Sequence, residues 1–315
     1  MVDIKMLSDR LVQNIGTVIK GKDDVIQKVV VCLFCSGHIL LEDVPGTGKT
    51  TLAKALARSV NCDFKRVQFT PDLLPSDLTG VNFYHQKSGE FQFKKGALFT
   101  NILLGDEINR ATPRTQSSLL ECMEERQVSV DGNTYPLSEP FLVIATQNPI
   151  EIQGTFPLPE AQLDRFFMRL SMGYPDVQNE KAMLSREQTD RPTESIRPVA
   201  SAEEVIEAQQ CIQTVKVGEA VKDYLLDLVH ATRSYDKIRL GVSPRGSLAL
   251  MRAAQAMAAV QGRDYVIPDD IQDVAEDVLA HRMICKGHNM MQNSEIAKEY
   301  LRQIVNQTTV PVERK

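Results

Sequence analysis

A glycine-rich loop carries the residues best suited to chemistry in this 315-residue chain. An apolar run ends in the sequence Pro45-Gly46-Thr47-Gly48-Lys49-Thr50-Thr51. Because glycine has no Cβ, the backbone at Gly46 and Gly48 can curl its N–H groups around phosphate oxygens, and the helix that starts at Lys49 adds its N-terminal dipole. Lys49 would pair with the β- and γ-phosphates, and the Thr50 hydroxyl would ligate Mg²⁺. The loop therefore predicts binding of a nucleoside triphosphate.

One residue departs from the general G-x-x-x-x-G-K-[ST] pattern of phosphate-binding loops. Asp43 stands where the first glycine of that pattern is expected. A carboxylate beside phosphate oxygens would repel them, because like charges at short range disfavour each other. We therefore expect the Asp43 side chain to point away from the bound phosphates.

Two further apolar runs end in polar side chains that a nucleotide-hydrolysing site needs. Residues 101–105 lead into Asp106 and Glu107, and residues 141–146 lead into Gln147 and Asn148. Such runs are typical of buried parallel strands. Asp106 would hold Mg²⁺ through water, Glu107 would orient and deprotonate the attacking water, and Asn148 would sense the γ-phosphate. Taken alone, each is an ordinary strand-end or turn feature, so the order of the segments behind the loop carries the prediction.

Two arginines are candidates for contacts with phosphate. Ser243 is a predicted helix N-cap and Pro244 a first-turn proline, which places Arg245 in the first turn of a helix. A cation there opposes the helix dipole at a cost of roughly 0.3–1 kcal/mol, and a bound phosphate would remove that conflict. Arg165 is flanked by large apolar residues that would hold its backbone, and an ion pair with Asp164 is the alternative.

Six phrases spread along the chain are together far more specific than any one motif. They are EDVPGTGKT at 42–50, DLLPSDLTG at 72–80, DEINRA at 106–111, LECMEERQV at 120–128, ATQNP at 145–149 and FPLPEAQLDRF at 156–166. They resemble the MoxR family of AAA+ ATPases over nearly the full length of the chain. The resemblance implies a role for each candidate: Lys49 and Thr50 in Walker A, Asp106 and Glu107 in Walker B, Asn148 as sensor 1, Arg245 as sensor 2, and Arg165 as an arginine finger acting on the neighbouring subunit's nucleotide.

The pattern of elements divides the chain into two domains. Apolar strands alternate with helical segments in the first part, which predicts a parallel sheet covered on both faces. A polar, proline-bearing stretch at 190–198 is typical of a linker, and helical patterns follow it. With the resemblance, we expect an α/β fold: a P-loop NTPase AAA+ core with a doubly wound parallel sheet at 1–190 and an all-helical lid at 191–315. A nucleotide between Lys49 on the core and Arg245 on the lid would then couple hydrolysis to the angle between them.

Two strand-rich segments interrupt the predicted core. Residues 78–96 combine glycines with alternating apolar residues, and residues 127–137 carry an Asp131-Gly132 turn between short alternating runs, which is a hairpin pattern. The resemblance implies that these are the helix-2 insert and the hairpin before sensor 1. In related ATPases they project toward the pore or upper face of a ring and contact a partner. Each segment is alternatively an ordinary surface hairpin.

Composition sets broad limits on location and partners. The hydrophobic content of 43% supports a sizeable core, and the net charge of −5 gives no global electrostatic reason to bind nucleic acid. No apolar run approaches the roughly 20 residues of a membrane helix, and the first residues lack a signal-peptide hydrophobic region, so we expect a cytoplasmic protein. The six cysteines form no metal-binding framework, and we expect Cys32 and Cys35, the one C-x-x-C pair, to be reduced core residues.

The combined expectation is a MoxR-type ATPase that hydrolyses ATP with Mg²⁺ as a ring, expected to be a hexamer. The resemblance implies chaperone-like remodelling or maturation of a protein client, including help with metal insertion, and a partner with a von Willebrand factor A domain. A nucleic-acid motor is one alternative, but it would need Lys or Arg at the hairpin tip, where Asp131-Gly132-Asn133 offers acid and amide. A nucleotide-dependent switch with little turnover is another, but it would be expected to lack Glu107 or the arginine finger.

Overall fold

A parallel sheet forms the centre of the structure, a computed structural model that describes residues 2–148, 154–181, 196–287 and 290–311. The strands of the core are β1 Ile39–Glu42, β2 Phe64–Gln68, β3 Gly80–His85, β4 Glu90–Lys95, β5 Ile102–Asp106, β6 Gln127–Val130, β7 Asn133–Pro136, β8 Leu142–Gln147 and β9 Met168–Leu170. Five of them form the sheet in the order β2-β5-β8-β1-β9, and every pair is parallel. The predicted parallel sheet is confirmed.

Helices cover both faces of this sheet, because successive strand residues alternate between two apolar clusters. The core helices are α1 Ile4–Gly16, α2 Asp23–Phe34, α3 Lys49–Ser59, α4 Pro75–Thr79, α5 Pro113–Glu125 and α6 Glu160–Leu163. Ile39 and Leu41 of β1 belong to the cluster that contains α1, α2 and α3, and Leu40 belongs to the cluster that contains α5. The sheet therefore has two buried faces, and polar side chains are left for its carboxyl edge.

A helical lid follows the core, as the sequence predicts. Its helices are α7 Ala202–Ile212, α8 Glu219–Ser234, α9 Pro244–Val260, α10 Pro268–Leu279 and α11 Met290–Gln307. A short antiparallel pair, β10 Ile238–Leu240 with β11 Ile284–Cys285, adds to this otherwise helical unit. The predicted division at residue 190 lies outside the described residues.

The lid packs against the first two helices of the core. Helix α9 contacts α1 and α2, and α7 contacts α2. Buried side chains of these helices belong to one apolar cluster that also contains one face of the sheet. This packing decides where the first turn of α9, with Arg245, lies relative to the phosphate loop.

The two predicted strand-rich segments each contain an antiparallel hairpin. Strands β3 and β4 pair within residues 78–96, and β6 and β7 pair within 127–137. The hairpins contact each other, since the rings of Phe93 and Tyr135 stack with centroids 4.1 Å apart and Asn82 Nδ2 donates to Asp131 Oδ2 at 2.7 Å. Three exposed aromatic side chains, Phe83, Tyr84 and Phe91, remain on the β3–β4 hairpin.

All six cysteines are free thiols, and burial raises the pKa of the Cys32 thiol. In the described ranges, no helix combines the length and the apolar character that crossing a bilayer requires.

Buried His38 makes the stability of the core depend on pH. Its Nδ1 accepts from the Val143 N–H at 2.9 Å, so Nε2 donates to the Met123 carbonyl at 2.9 Å. Burial, and then the nearby Arg126, lowers the pKa of His38 to about 3. Between that value and the ordinary histidine pKa of about 6.5, only the unfolded chain binds the proton, so acid favours unfolding.

We expect the free energy of unfolding to fall as the pH drops from 6.5, with a contribution from His38 of about 1.4 kcal/mol per pH unit. Urea unfolding of the wild type and of His38→Gln at pH 7 and pH 5.5 measures it. The variant should be less stable at pH 7 and should lose less stability on acidification. Equal losses in the two proteins would contradict this role.

Candidate nucleotide site

The predicted phosphate loop connects the carboxyl end of β1 to the start of α3. Gly46 and Gly48 have φ angles of 87° and 92°, a left-handed backbone conformation that residues with a Cβ rarely adopt. Lys49 Nζ donates to the carbonyl oxygens of Asp43 at 2.8 Å and Val44 at 3.0 Å. Burial lowers the pKa of Lys49, and the carboxylates of the site oppose that shift. The Lys49 ammonium group therefore contacts the backbone at the start of the loop.

A cavity of about 340 Å³ opens over this loop. The predicted residues that line it are Pro45, Gly46, Gly48, Lys49, Thr50, Asp106, Glu107 and Asn148. Thr47 and Thr51 are not among the described residues that line it, and Thr47 Oγ1 instead donates to the Val44 carbonyl at 3.4 Å. The carboxyl ends of three neighbouring strands, β1, β5 and β8, thus bring the loop, the acidic pair and the amide to one cavity.

Asp43 points away from the loop, and the expectation for this residue is confirmed. Its buried carboxylate accepts from Ser171 Oγ at 2.8 Å, from the Gly173 N–H at 3.0 Å and from the Met172 N–H at 2.6 Å. These donors satisfy the charge that would otherwise repel a phosphate. Asp43 therefore ties the loop to the end of β9.

A threonine fixes the acidic pair at the end of β5. Thr146 Oγ1 accepts from the Glu107 N–H at 2.9 Å and donates to Asp106 Oδ1 at 3.1 Å. Glu107 has left-handed backbone angles of φ 55° and ψ 52°, which are uncommon for a residue other than glycine. Strained backbone of this kind occurs often at functional sites. One hydroxyl therefore holds both the Asp106 carboxylate and the backbone of Glu107.

Three polar side chains that sequence reasoning missed hold the two carboxylates. Arg66 Nε donates to Asp106 Oδ2 at 2.6 Å. Glu107 Oε2 accepts from Gln68 Nε2 at 2.8 Å and from Arg110 Nη1 at 3.1 Å. Gln68 lies opposite Asp106 in the register of β2 and β5. Arg66 and Gln68 are polar residues at the end of β2, which the sequence shows. Their role at the site becomes visible only once β2 is known to pair with β5.

The two predicted arginines lie together, away from the cavity over the loop. Arg165 Nε is 3.3 Å from Glu124 Oε2, and Arg245 Nη2 donates to Glu124 Oε1. Among the described residues that line the loop cavity, neither arginine is present. The carboxylate that Arg165 approaches is thus that of Glu124, at the end of α5, and not that of Asp164, the alternative that the sequence left open.

Arg245 does not lie close enough to the phosphate loop to line the same cavity. Ser243 caps α9 as predicted, accepting from the Gly246 N–H at 3.3 Å. The Ser243 hydroxyl also donates to Asp164 Oδ2 at 3.0 Å, and Arg282 Nε donates to Asp164 Oδ1 at 2.7 Å. These bonds anchor the start of α9 beside the Arg165 segment. Arg245 therefore lies outside the loop cavity of its own chain, and the link between Lys49 and Arg245 through a shared nucleotide stays a prediction.

Two oxygen ligands in the loop cavity fit a magnesium ion. The Thr50 hydroxyl and the Asp106 carboxylate both line it, and hard oxygen donors are what Mg²⁺ prefers. Throughout the described residues, no group of three or more His, Cys, Asp or Glu side chains could hold a metal by itself. An ion here would complete its coordination with water and with phosphate oxygens of the substrate.

Comparisons with known proteins decide the family. Residues 38–168 match the family described as "ATPase family associated with various cellular activities (AAA)", and residues 230–304 match the "AAA lid domain". The chain is 49% identical over 312 residues to the uncharacterized protein YeaC of Bacillus subtilis, covering 99% of this chain and 97% of that protein. It is 41% identical over 285 residues to Chaperone MoxR1 of Mycobacterium tuberculosis, covering 88% and 75%. The chain belongs to the MoxR family of AAA+ ATPases.

Two further matches agree with membership of the MoxR family. Protein MoxR of Methylorubrum extorquens is 30% identical over 335 residues, covering 99% of this chain and 97% of that protein. A crystal structure from Cytophaga hutchinsonii, provisionally described as an ATPase, superposes with a TM-score of 0.89 at 39% identity and covers 98% of this chain and 96% of that chain. The family inferred from the six phrases is therefore confirmed, together with the core and lid fold.

Proposed function

We propose that this MoxR-family chain hydrolyses ATP to ADP and phosphate at a site shared by two neighbouring copies. One observation carries the proposal. The loop, the acidic pair and Asn148 share one cavity, whereas Arg165 and Arg245 converge on Glu124 outside it. A single chain thus holds a phosphate-binding half and an arginine half that do not meet.

The residues of the loop cavity would bind and orient the substrate. Lys49 would exchange its two carbonyl partners for β- and γ-phosphate oxygens, which are stronger acceptors because they are charged. Glu107 would accept a proton from the attacking water, and its hydrogen bonds to Gln68 and Arg110 set the direction of its carboxylate. Asn148 would donate its amide to the γ-phosphate. The cavity therefore supplies positioning and charge, which phosphoryl transfer requires.

Thr50 and Asp106 would hold the magnesium ion that accompanies ATP. When bound, Mg²⁺ neutralises charge on the phosphates. Asp106 Oδ2 already accepts from Arg66, so the carboxylate would act through a water or would release that arginine. Thr146 keeps the other oxygen of Asp106 in place.

The arginine half would complete the site of a neighbouring copy. Among the described residues, Arg165 and Arg245 form ion pairs with the same carboxylate, that of Glu124, so one of the two positive charges is left for an anion. A contact in which one surface of each copy meets a different surface of the next generates a ring when the rotation closes. We propose that this ring is a hexamer and that Arg165 acts as its arginine finger.

The work of this ring would be done on a protein client. A relative at 41% identity is named a chaperone, and the β3–β4 hairpin exposes Tyr84 and Phe91, as a surface that contacts another protein does. We propose remodelling or maturation of a client in the cytoplasm, including help with metal insertion, with a von Willebrand factor A domain protein as partner. The acidic Asp131 on the adjoining hairpin, already bonded to Asn82, favours a protein client over nucleic acid.

Replacing Lys49 tests whether ATP binds in this cavity. Lys49→Ala removes a charge-assisted contact to the phosphates, so ATP affinity should fall by about 10- to 150-fold. Calorimetric titration of the wild type and the variant with ATP and Mg²⁺ measures this change. Lys54→Ala, at an exposed position of the same helix, is the matched control and should bind as the wild type does. Unchanged affinity in Lys49→Ala would contradict the site.

A further inference from the structure

A second cavity, of about 480 Å³, lies between the core and the lid beside the loop cavity. Gln147 and Asn148, at the end of β8, line both cavities. The core also contributes Arg169 of β9, and the lid contributes Met283 and Ser294. The proposed hydrolysis of ATP uses none of the residues that line only this second cavity.

Arg169 is buried in this cavity, and the described residues offer it no close partner for its whole guanidinium group. Its side chain is 10% exposed, and its Nη1 is 3.5 Å from Glu42 Oε2, too far for a good hydrogen bond. Within the described part of the chain, Nη2 has no hydrogen-bond partner. The same Glu42 oxygen also accepts from Ser294 Oγ at 3.1 Å. A buried guanidinium nitrogen without a hydrogen-bond partner is costly, and a carboxylate or phosphate on a ligand would satisfy it.

One more buried polar atom in the lining has no complementary group. Asn109 is 9% exposed, and its Oδ1 accepts from no other described residue, so a ligand with an O–H or N–H donor would satisfy it. In the same lining, His281 is 4% exposed, and its ring interacts with the carbonyl oxygens of Phe166 and Asp277. Burial, followed by the charges of Arg282 and Arg169, holds the pKa of His281 well below its ordinary value, so the ring is neutral.

The charges and the apolar lining narrow the class of ligand. Arg239 and Lys298 in the lining are each near a carboxylate, at 3.9 Å from Glu160 and 2.9 Å from Glu295. Arg239 keeps hydrogen-bonding capacity at that distance, but its side chain is largely exposed, so the buried cationic donor without a partner among the described residues belongs to Arg169. One anionic group on a ligand would satisfy that donor. Apolar side chains from both domains complete the wall: Leu158, Leu170 and Met283.

We infer that this cavity binds a small carboxylic acid that also carries a hydroxyl or ammonium donor and an apolar side chain. The carboxylate pairs with Arg169, the donor with Asn109 Oδ1, and the apolar part packs between core and lid. Because Gln147 and Asn148 border both cavities, such a ligand changes the affinity for ATP, and ATP changes the affinity for the ligand by the same factor. The mutual effect of ATP and the acid rests on the proposed nucleotide site. Binding of the acid itself does not depend on that site.

Calorimetric titration of the full chain tests the inference. The probes are 2-hydroxyisocaproate and L-leucine, with 4-methylpentanamide as an uncharged control and inorganic phosphate as a bare anion. Saturable binding of either acid, with no binding of the amide, is expected. Arg169→Gln should weaken the binding by ~10-fold or more through loss of a charge-assisted pair. Arg302→Gln, an exposed position that pairs with Glu276, is the matched control and should bind normally.

Two further variants keep the test decisive. Asn109→Asp is nearly isosteric and gives the ligand's donor a charged acceptor, so it should favour L-leucine, with its ammonium group, over 2-hydroxyisocaproate. Lys49→Ala should leave that binding intact, since the loop cavity is separate, even if ATP binding and hydrolysis prove absent. Failure of both acids to bind at millimolar concentration, tighter binding of phosphate than of either acid, or equal affinity in Arg169→Gln would overturn the inference. So would loss of binding in Lys49→Ala.

Discussion

Glu107→Gln should keep ATP bound and reduce its turnover by about 10²- to 10⁴-fold, the range for loss of a positioned general base. Glutamine keeps the size of the side chain but cannot take a proton from water. Its amide can still contact the neighbours of Glu107, and Thr146 still holds the backbone of residue 107. Steady-state release of phosphate and equilibrium binding of ATP, measured on the same preparation, separate the two effects.

The matched control for this prediction is Glu121→Gln on α5, where the carboxylate is exposed. It should hydrolyse ATP at the rate of the wild type. If Glu107→Gln loses ATP binding to the same extent as Lys49→Ala, Glu107 acts in binding and its assignment as the base is wrong. Turnover near the wild-type rate would assign the proton transfer to another group.

Arg165→Ala should lower turnover by ~10³-fold or more, as expected for loss of an arginine finger, with little change in ATP affinity. The affinity should hold because Arg165 lies outside the cavity of its own chain and pairs with Glu124. Phosphate release per subunit, measured over a range of protein concentrations, also shows whether wild-type activity depends on assembly.

Two variants accompany Arg165→Ala. Arg165→Lys should recover only part of the rate, because a lysine keeps the charge but not the planar fork of donors. Arg302→Ala, an exposed arginine paired with Glu276 on the lid, should be fully active. An Arg165→Ala protein that turns over ATP normally at every concentration would show that each chain has a complete site, as in the alternative of a nucleotide-dependent switch.

Local chemistry explains why much of the site could be predicted. The positive φ angles of Gly46 and Gly48 and the N-cap at Ser243 depend on residue types within a few positions of each other. The strand runs that end at Asp106 and Asn148 have a hydrophobic character that a parallel sheet requires. Each of these features can therefore be inferred from a short stretch of sequence.

Features that depend on distant pairing could not be predicted in the same way. Gln68 meets Glu107 because β2 lies beside β5, a choice that short stretches of sequence do not record. Ser243 and Pro244 place Arg245 in the first turn of a helix, as predicted. The sequence does not indicate which chain's bound phosphate that turn would face. The packing of α9 on α1 and α2, together with the bond between Ser243 and Asp164, puts Arg245 beside Arg165.

The cavity around Arg169 was beyond sequence reasoning for the same reason. Arg169 lies in a short edge strand, and nothing in its neighbourhood along the chain distinguishes it from an exposed arginine. Its burial results from the lid residues around Ser294, more than a hundred positions later. A buried charge with an unsatisfied donor can be recognised only after the two domains are assembled.

Mixing two inactive variants tests the shared site most directly. Lys49→Ala subunits keep Arg165, and Arg165→Ala subunits keep the phosphate loop, so a mixed ring contains some complete sites. With random equal mixing in a ring of heterologous contacts, we predict recovery of about a quarter of the wild-type ATPase rate, although each variant alone is inactive. No recovery, under conditions where labelled subunits of the two variants are seen to co-assemble, would contradict a site shared between neighbours.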